Sequence, residues 1–262
     1  MPSMVKKAAM SVLLAAAVAA GPVSAIDVWD QSSEDDNSIG TDNGLTHGTE
    51  QVHDLGAEGG VADQDWYIFT NAARSSYEVL IDGTTGDMNL TGSDVARMGS
   101  AIDVLQNSVQ LAGYSAALRW QNTAALGETN WIRVFGASCG TACSSNDQYR
   151  IRMYETTYAI PRFNNSGTQI TVLIVSNAAT FSCSAQFHFY NAAGTFLGST
   201  SNTYSVRETL VLNTSGLGFA AGQSGAIYVS HTCGYSGLAG KAVALEPSTG
   251  FTFDTAMIPR IR

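Results

Sequence analysis

Tyr149-Arg150-Ile151-Arg152-Met153-Tyr154 decides how the chain reads. Tyr149, Ile151 and Met153 fall on one side of an extended backbone and Arg150, Arg152 and Tyr154 on the other, the period of two that a β-strand imposes on its side chains. The same alternation places Tyr77, Val79 and Ile81 on one face, and Ile132 with Val134 on another. Turn signals such as Asp82-Gly83-Thr84-Thr85-Gly86 and Ala112-Gly113 separate these runs, and short strands so punctuated predict an antiparallel sandwich or barrel. From Ser93 to Leu111 the positions of Met98, Ile102, Leu105 and Val109 also suit a helix; the reading taken is two strands.

Toward the C-terminus, Thr156-Thr157-Tyr158-Ala159-Ile160-Pro161 and the turn Asn164-Asn165-Ser166-Gly167 read as a domain junction. The linker is short and poor in Gly and Ser, so two domains packed end to end with limited freedom are expected. Beyond it, Gln169 to Ser176 is a continuous apolar strand, followed by Cys183 to Tyr190, Thr195 to Thr200, Thr209 to Leu212, Ala226 to Ser230 and Ala239 to Leu245. Six or seven strands in about 100 residues fit an immunoglobulin-like sandwich. The expectation is an all-β chain of two consecutive antiparallel β-sandwiches: residues 1–25 a cleaved signal peptide, 26–60 an acidic leader able to supply a first strand, 61–158 the first sandwich and 159–262 the second.

The export signal rests on Lys6 and Lys7 ahead of an apolar run from Ala8 to Ala20, a break at Gly21-Pro22, and the small residues Val23-Ser24-Ala25 before the cut. That run falls short of the ~20 residues a membrane-spanning helix needs. A secreted protein, extracellular or periplasmic and without a membrane span, is expected. Only 13% of the 262 residues are charged and 45% are hydrophobic, which argues against a disordered acidic tail, a coiled coil and a polytopic membrane protein. Nucleic acid is disfavoured by a net charge of -9, because neutralising phosphates takes clustered Lys and Arg.

Half of the 22 acids lie between Asp27 and Asp65 without one Lys or Arg. Two readings stay open for this leader: solvated, partly mobile chain, or a cation-binding segment. In the second, Asp35, Asp36, Asn37, Asp42 and Asn43 are the hard oxygen donors that calcium takes. They do not form an EF-hand, since Ile39 fills the fifth position and Thr46 the last, where Glu belongs.

Four cysteines in an exported chain predict disulfides. Cys139 and Cys143 share a Gly/Ser loop; Cys183 shares strand parity with Phe187 and Phe189, and Cys233 with Ile227 and Val229, so both of the latter thiols face the apolar side. Pairing within each domain follows, the long loop contributing about 4 kcal/mol and the short one about 2 in the chain-entropy account. Zinc held by Cys183, Cys233, His188 and His231 is disfavoured, because His188 faces away from Cys183 on a regular strand.

No catalytic constellation emerges. Gly113-Tyr114-Ser115-Ala116-Ala117 and Gly234-Tyr235-Ser236-Gly237-Leu238 both lack the last Gly of the nucleophile elbow, and no zinc-protease, phosphate-loop or dinucleotide motif occurs. The alternative to a binding or structural protein is a hydrolase built on carboxylates such as Glu78, Asp82, Glu246 and Asp254. Trp66, Trp120, Trp131, Tyr77 and Tyr149 could stack on sugars, although their strand positions favour core packing.

Val61-Ala62-Asp63-Gln64-Asp65-Trp66-Tyr67-Ile68-Phe69-Thr70, Tyr77 to Ile81, Trp131 to Val134 and Tyr149 to Arg152 together resemble the bacterial pre-peptidase C-terminal domain over about residues 34 to 156. The resemblance implies a jelly-roll-like sandwich appended to secreted enzymes as a spacer or binding module. It also implies that calcium is held by acidic residues near the domain's N-terminus in some members, and that collagen or polysaccharide is bound by some. The second segment, through Ile160 to Asn165 and Gly240 to Pro247, resembles β-sandwich modules of exported bacterial proteins. Extracellular polysaccharide or protein is the partner these readings point to.

Overall fold

The computed structural model describes residues 29, 36–57, 60–86, 89–90, 92–137 and 139–260. The expected signal peptide and Asp35 lie outside them. The described chain is all-β, with 18 strands in four antiparallel sheets. The first half contributes β1 (Glu50–Asp54), β2 (Gln64–Asn71), β3 (Ser75–Asp82), β4 (Val95–Met98), β5 (Val104–Asn107), β6 (Val109–Leu111), β7 (Tyr114–Asn122), β8 (Glu128–Phe135) and β9 (Gln148–Glu155). One sheet runs β1-β9-β3-β7-β6 and the other β2-β8-β4-β5. Between them Tyr67, Ile81, Leu118, Ile132, Tyr149 and Ile151 are buried, the inward halves of the alternations seen in the sequence.

Three expectations need correction here. From Asp36 onward the leader is folded rather than solvated: the Trp66 amide donates to the Asp36 carbonyl (2.8 Å), the Ile68 amide to Asn43 (2.9 Å) and the Gly48 amide to Met153 (2.9 Å), and β1 pairs with β9. Backbone pairing along β2 and β9 holds it in place, with Asp42 and Glu50 turned to solvent and Asp36 and Asp54 buried. Ser93 to Leu111 holds three strands, not two, because Ser108 interrupts the run by donating its amide to Val95 and its hydroxyl to Gly92. The apparent junction is also mostly strand, since only Thr156 and Thr157 separate β9 from the next element.

The second half contributes β10 (Tyr158–Asn164), β11 (Ile170–Asn177), β12 (Cys183–Asn191), β13 (Phe196–Tyr204), β14 (Thr209–Asn213), β15 (Ser224–His231), β16 (Leu238–Glu246), β17 (Phe251–Ala256) and β18 (Ile258–Pro259). Sheets β13-β12-β15-β10-β18 and β14-β11-β16-β17 enclose Phe163, Leu173, Phe187, Phe189, Tyr204 and Val229. Cys183–Cys233 fastens this core, and Cys139–Cys143 closes the loop before β9. Two disulfides fit a protein of an oxidising compartment. No helix among the described residues is long and apolar enough to cross a membrane.

The halves meet along the outer face of β3, which is why Ser76, Glu78 and Leu80 are buried as fully as the inward residues of that strand. Arg119 donates to Glu78 (2.7 Å), the Tyr235 amide donates to the same carboxylate (3.1 Å), and the Arg119 guanidinium lies 4.5 Å from the Phe181 ring centre. Gly234 belongs to this joint: its φ is +78° and a Cβ there would come within 2.8 Å of Arg119 and Glu78 side-chain atoms. His231 donates from Nε2 to the Thr156 carbonyl (2.8 Å), tying β15 to the crossover.

Candidate functional site

The leader and the first sandwich assemble a buried acid–imidazole centre. Asp36 comes from the leader, His53 from β1 and Asp65 from β2, and one ligand atom of each lies within 4.8 Å of the others. Asp65 is carried inward because it shares the core-facing side of β2 with Tyr67 and Phe69. The Tyr149 hydroxyl donates to Asp65, while the Tyr67 hydroxyl lies 2.5 Å from that of Tyr149. Burial first, and then the neighbouring Asp65 and Tyr67, push the Tyr149 phenol well above its usual range, so it stays a donor. Asp36 accepts from the Asn43 amide nitrogen (3.2 Å) and faces His53 Nδ1 at 3.5 Å. His53 Nε2 donates to Gln51 (2.9 Å), which turns Nδ1 toward the two carboxylates.

Such a centre supports two chemistries. A protonated His53 would be a cation held by enclosed carboxylates, clasping leader to sandwich. A neutral His53 would offer a nitrogen lone pair beside two carboxylates, a mixed donor set that suits a d-block cation better than calcium, which prefers six to eight oxygens. Of the calcium donors expected from sequence, Asp36 and Asn43 are in the centre, the latter with its side-chain oxygen lacking a hydrogen bond. Asn37 instead accepts at its backbone carbonyl from Gln64 (3.2 Å), Asp42 is exposed, and Asp35 is outside the described residues. The sequence reading missed His53 and Asp65. An acid in register with Tyr67 and Phe69 on an inward face was the available signal for the second.

The carboxylates weighed for hydrolysis are dispersed and engaged. Glu78 pairs with Arg119, Asp82 with Arg152 (2.7 Å) and Asp254 with Lys241 (2.5 Å), while Glu246 accepts from Thr168 (2.7 Å) and Ser248 (2.8 Å). Trp66, Trp120, Tyr77 and Tyr149 are buried in packing, not exposed for stacking. His188 and His231 do not share a metal with the disulfide-bonded cysteines: His188 Nε2 is 2.9 Å from Ser230 and His231 bonds Thr156.

The exposed aromatic residues belong to the second sandwich. One end of the outer face of the β13-β12-β15-β10-β18 sheet rests on the first sandwich, with Gln121 bonded to Ser184 and Ser230. The remainder is open, and there Phe196 of β13, Tyr190 of β12 and Tyr228 of β15 make a continuous row, with ring centres 5.6 and 5.5 Å apart. Phe196 is 37% exposed and Tyr228 45%. Beside them opens a hollow of about 640 Å³ lined by Arg162, Asn164, Tyr190, Asn191 and Tyr228 among others, none of its lining residues being acidic. Arg162 lies where the pairing of β10 with β15 slips between Ile160 and Phe163, an irregularity that includes Pro161 and leaves both Pro161 and Arg162 exposed. The same Arg162 also lines a smaller hollow of about 230 Å³, with Glu246, Phe251 and Phe253.

No protein-family model matches the chain, and no curated protein matches it. Among solved structures, the full extracellular region of zebrafish Gpr126/Adgrg6 is 10% identical with a TM-score of 0.26, over 84% of this chain and 33% of that one. A Bacteroides uniformis beta-glucuronidase is 12% identical with a TM-score of 0.20, over 76% of this chain and 26% of that one. The chain thus spans a quarter to a third of the structures it matches, and likeness at this level does not extend to activity.

Proposed function

We propose that the protein is an exported, non-catalytic carbohydrate-binding module. On this reading the first sandwich, of the pre-peptidase C-terminal type, is the anchoring body and the second presents the ligand face. The observation that carries the reading is the row of Phe196, Tyr190 and Tyr228 on the open part of a sheet, beside a hollow with amide and guanidinium donors. Solvent-exposed rings cost a folded protein apolar burial, and Tyr228, propped edge-to-face by Tyr190 at the rim of the hollow, presents a ring on which a sugar can stack while polar groups at the edge bond its hydroxyls. The joint at Glu78 and Arg119 supports it as well, because it holds the ligand face in fixed relation to the anchoring body.

A glycan array read with the wild-type protein and with Tyr190→Ala plus Tyr228→Ala tests this. Binding by the wild type that the double substitution abolishes is expected. Binding confined to matrix proteins, with no glycan retained, would overturn it.

A further inference from the structure

The second half of the chain carries a different balance of charge from the chain as a whole. The chain as a whole has 13 basic and 22 acidic residues, yet residues 159–262 hold five Lys and Arg against three Asp and Glu. Arg119, Arg152, Arg260 and Lys241 each pair with a carboxylate. Arg162 has no such partner among the described residues and is the only charged residue lining the larger hollow. Its guanidinium stands 5.6 Å from the Phe253 ring centre, which orients it without neutralising it. At the other end of the aromatic row Arg74, reaching from the first sandwich, lies 3.8 Å over Phe196, also without a carboxylate partner among the described residues.

The remaining polar groups point the same way. Asn191 commits its side-chain oxygen to the amides of Ala193 (3.0 Å) and Thr195 (2.9 Å), which leaves its NH₂ as the part available to a ligand. The hollow therefore offers side-chain N–H donors and no carboxylate acceptor. Glu246 borders the smaller hollow, which Arg162 also lines, and its carboxylate is held by Thr168 and Ser248.

A neutral sugar would use carboxylate acceptors for its hydroxyls as readily as donors. Among the residues lining the hollow the one charged group is the Arg162 guanidinium, with no carboxylate beside it to repel an anion, and a guanidinium meets a ligand carboxylate with two parallel N–H···O bonds. The aromatic row crosses three adjacent strands, and Arg162 on the fourth joins the two hollows, so the track suits a polymer rather than a single sugar.

We infer that the face binds an acidic polysaccharide, a sugar ring lying on the exposed Tyr228, which Tyr190 holds edge-to-face, and a uronate carboxylate paired with Arg162. This rests on the carbohydrate-binding reading and narrows it.

The test is affinity electrophoresis and calorimetry of the purified protein with polygalacturonate, its fully methyl-esterified form, a neutral β-glucan and polyglutamate. Polygalacturonate is expected to bind, and esterification or Arg162→Gln to weaken that binding by 10-fold or more, since either removes the charge-assisted hydrogen bonds between guanidinium and carboxylate. Tyr228→Ala should weaken both polygalacturonate and the residual ester binding, and unchanged melting temperatures would show that each variant is folded. Equal affinity for acid and ester, or an unaffected Arg162→Gln, would overturn the inference and leave carbohydrate binding standing. Polyglutamate bound as well as polygalacturonate would overturn it in favour of charge alone. Failure of the wild type to bind any glycan would remove both.

Discussion

Asp36, His53 and Asp65 in the first sandwich are wholly enclosed, whereas Arg162, Tyr190 and Tyr228 in the second line an open hollow. Enclosure decides what each cluster can do. Charges out of water cost several kcal/mol apiece unless neighbours satisfy them, so a buried group with a hydrogen-bonded counterpart contributes to stability only while the whole set is intact. An exposed ring or guanidinium does little for folding and keeps its bonding capacity for a ligand. Aromatic residues illustrate the same point: Trp120 and Tyr149 in the first half, like Phe187 and Phe189 in the second, are enclosed in a core, whereas Tyr228, Phe251 and Phe253 are turned to solvent. The lesson is that chemical richness alone does not mark a binding face; access does.

The largest effect is expected at the disulfides. Replacing both Cys183 and Cys233 by Ala should cost about 4 kcal/mol, and replacing Cys139 and Cys143 about 2, because the first bridge closes a far longer loop. Equal losses would show that strain or residual structure, not loop length, sets the contribution. Next, at the enclosed centre, Asp36→Ala removes one of the two carboxylates at His53 and the acceptor of the Asn43 side-chain amide, and should lower stability by about 1–3 kcal/mol or more in urea denaturation, the cost of leaving buried polar groups unsatisfied. A loss below about 1 kcal/mol would mean that the leader is not clasped there.

Acid should weaken the second sandwich through its histidines. Burial, with smaller contributions from Arg74 and Arg119 respectively, pushes His188 and His231 down to about 4. In the unfolded chain they titrate near 6.5, so the unfolded state takes up protons first as pH falls. The stability held above pH ~6.5 is therefore lost between there and pH ~4, by on the order of 3 kcal/mol for fully enclosed His231. Melting temperatures of the wild type and His231→Gln across that window check this: the substitution should flatten the pH dependence, and an unchanged slope would place the titration elsewhere.

What the sequence disclosed follows the period-two signal. Strands with one face in a core, such as β9 and β12, were legible from alternation, and the cysteine pairing followed from parity. Elements whose surroundings are supplied by distant chain were not. β1 is a strand because β9 lies beside it, and the run to Pro161 reads as linker until β15 pairs with it. The centre was half legible: Asp36 and Asn43 stood out by composition, while Asp65 and His53 join them only when β1 and β2 are brought together. The ligand face was hidden for a different reason. Tyr190 and Tyr228 lie in strands, where burial is the usual fate, and only the position of the first sandwich shows that it covers one end of their sheet and leaves the other open.

The most direct test of this division measures stability and glycan binding on the same Tyr190→Ala, Tyr228→Ala variant. The account predicts an unfolding free energy within about 1 kcal/mol of wild type, because surface substitutions usually change stability by ±0.5 kcal/mol or less each, together with loss of polysaccharide binding. Retained binding, or a loss of several kcal/mol with the face collapsed, would contradict it.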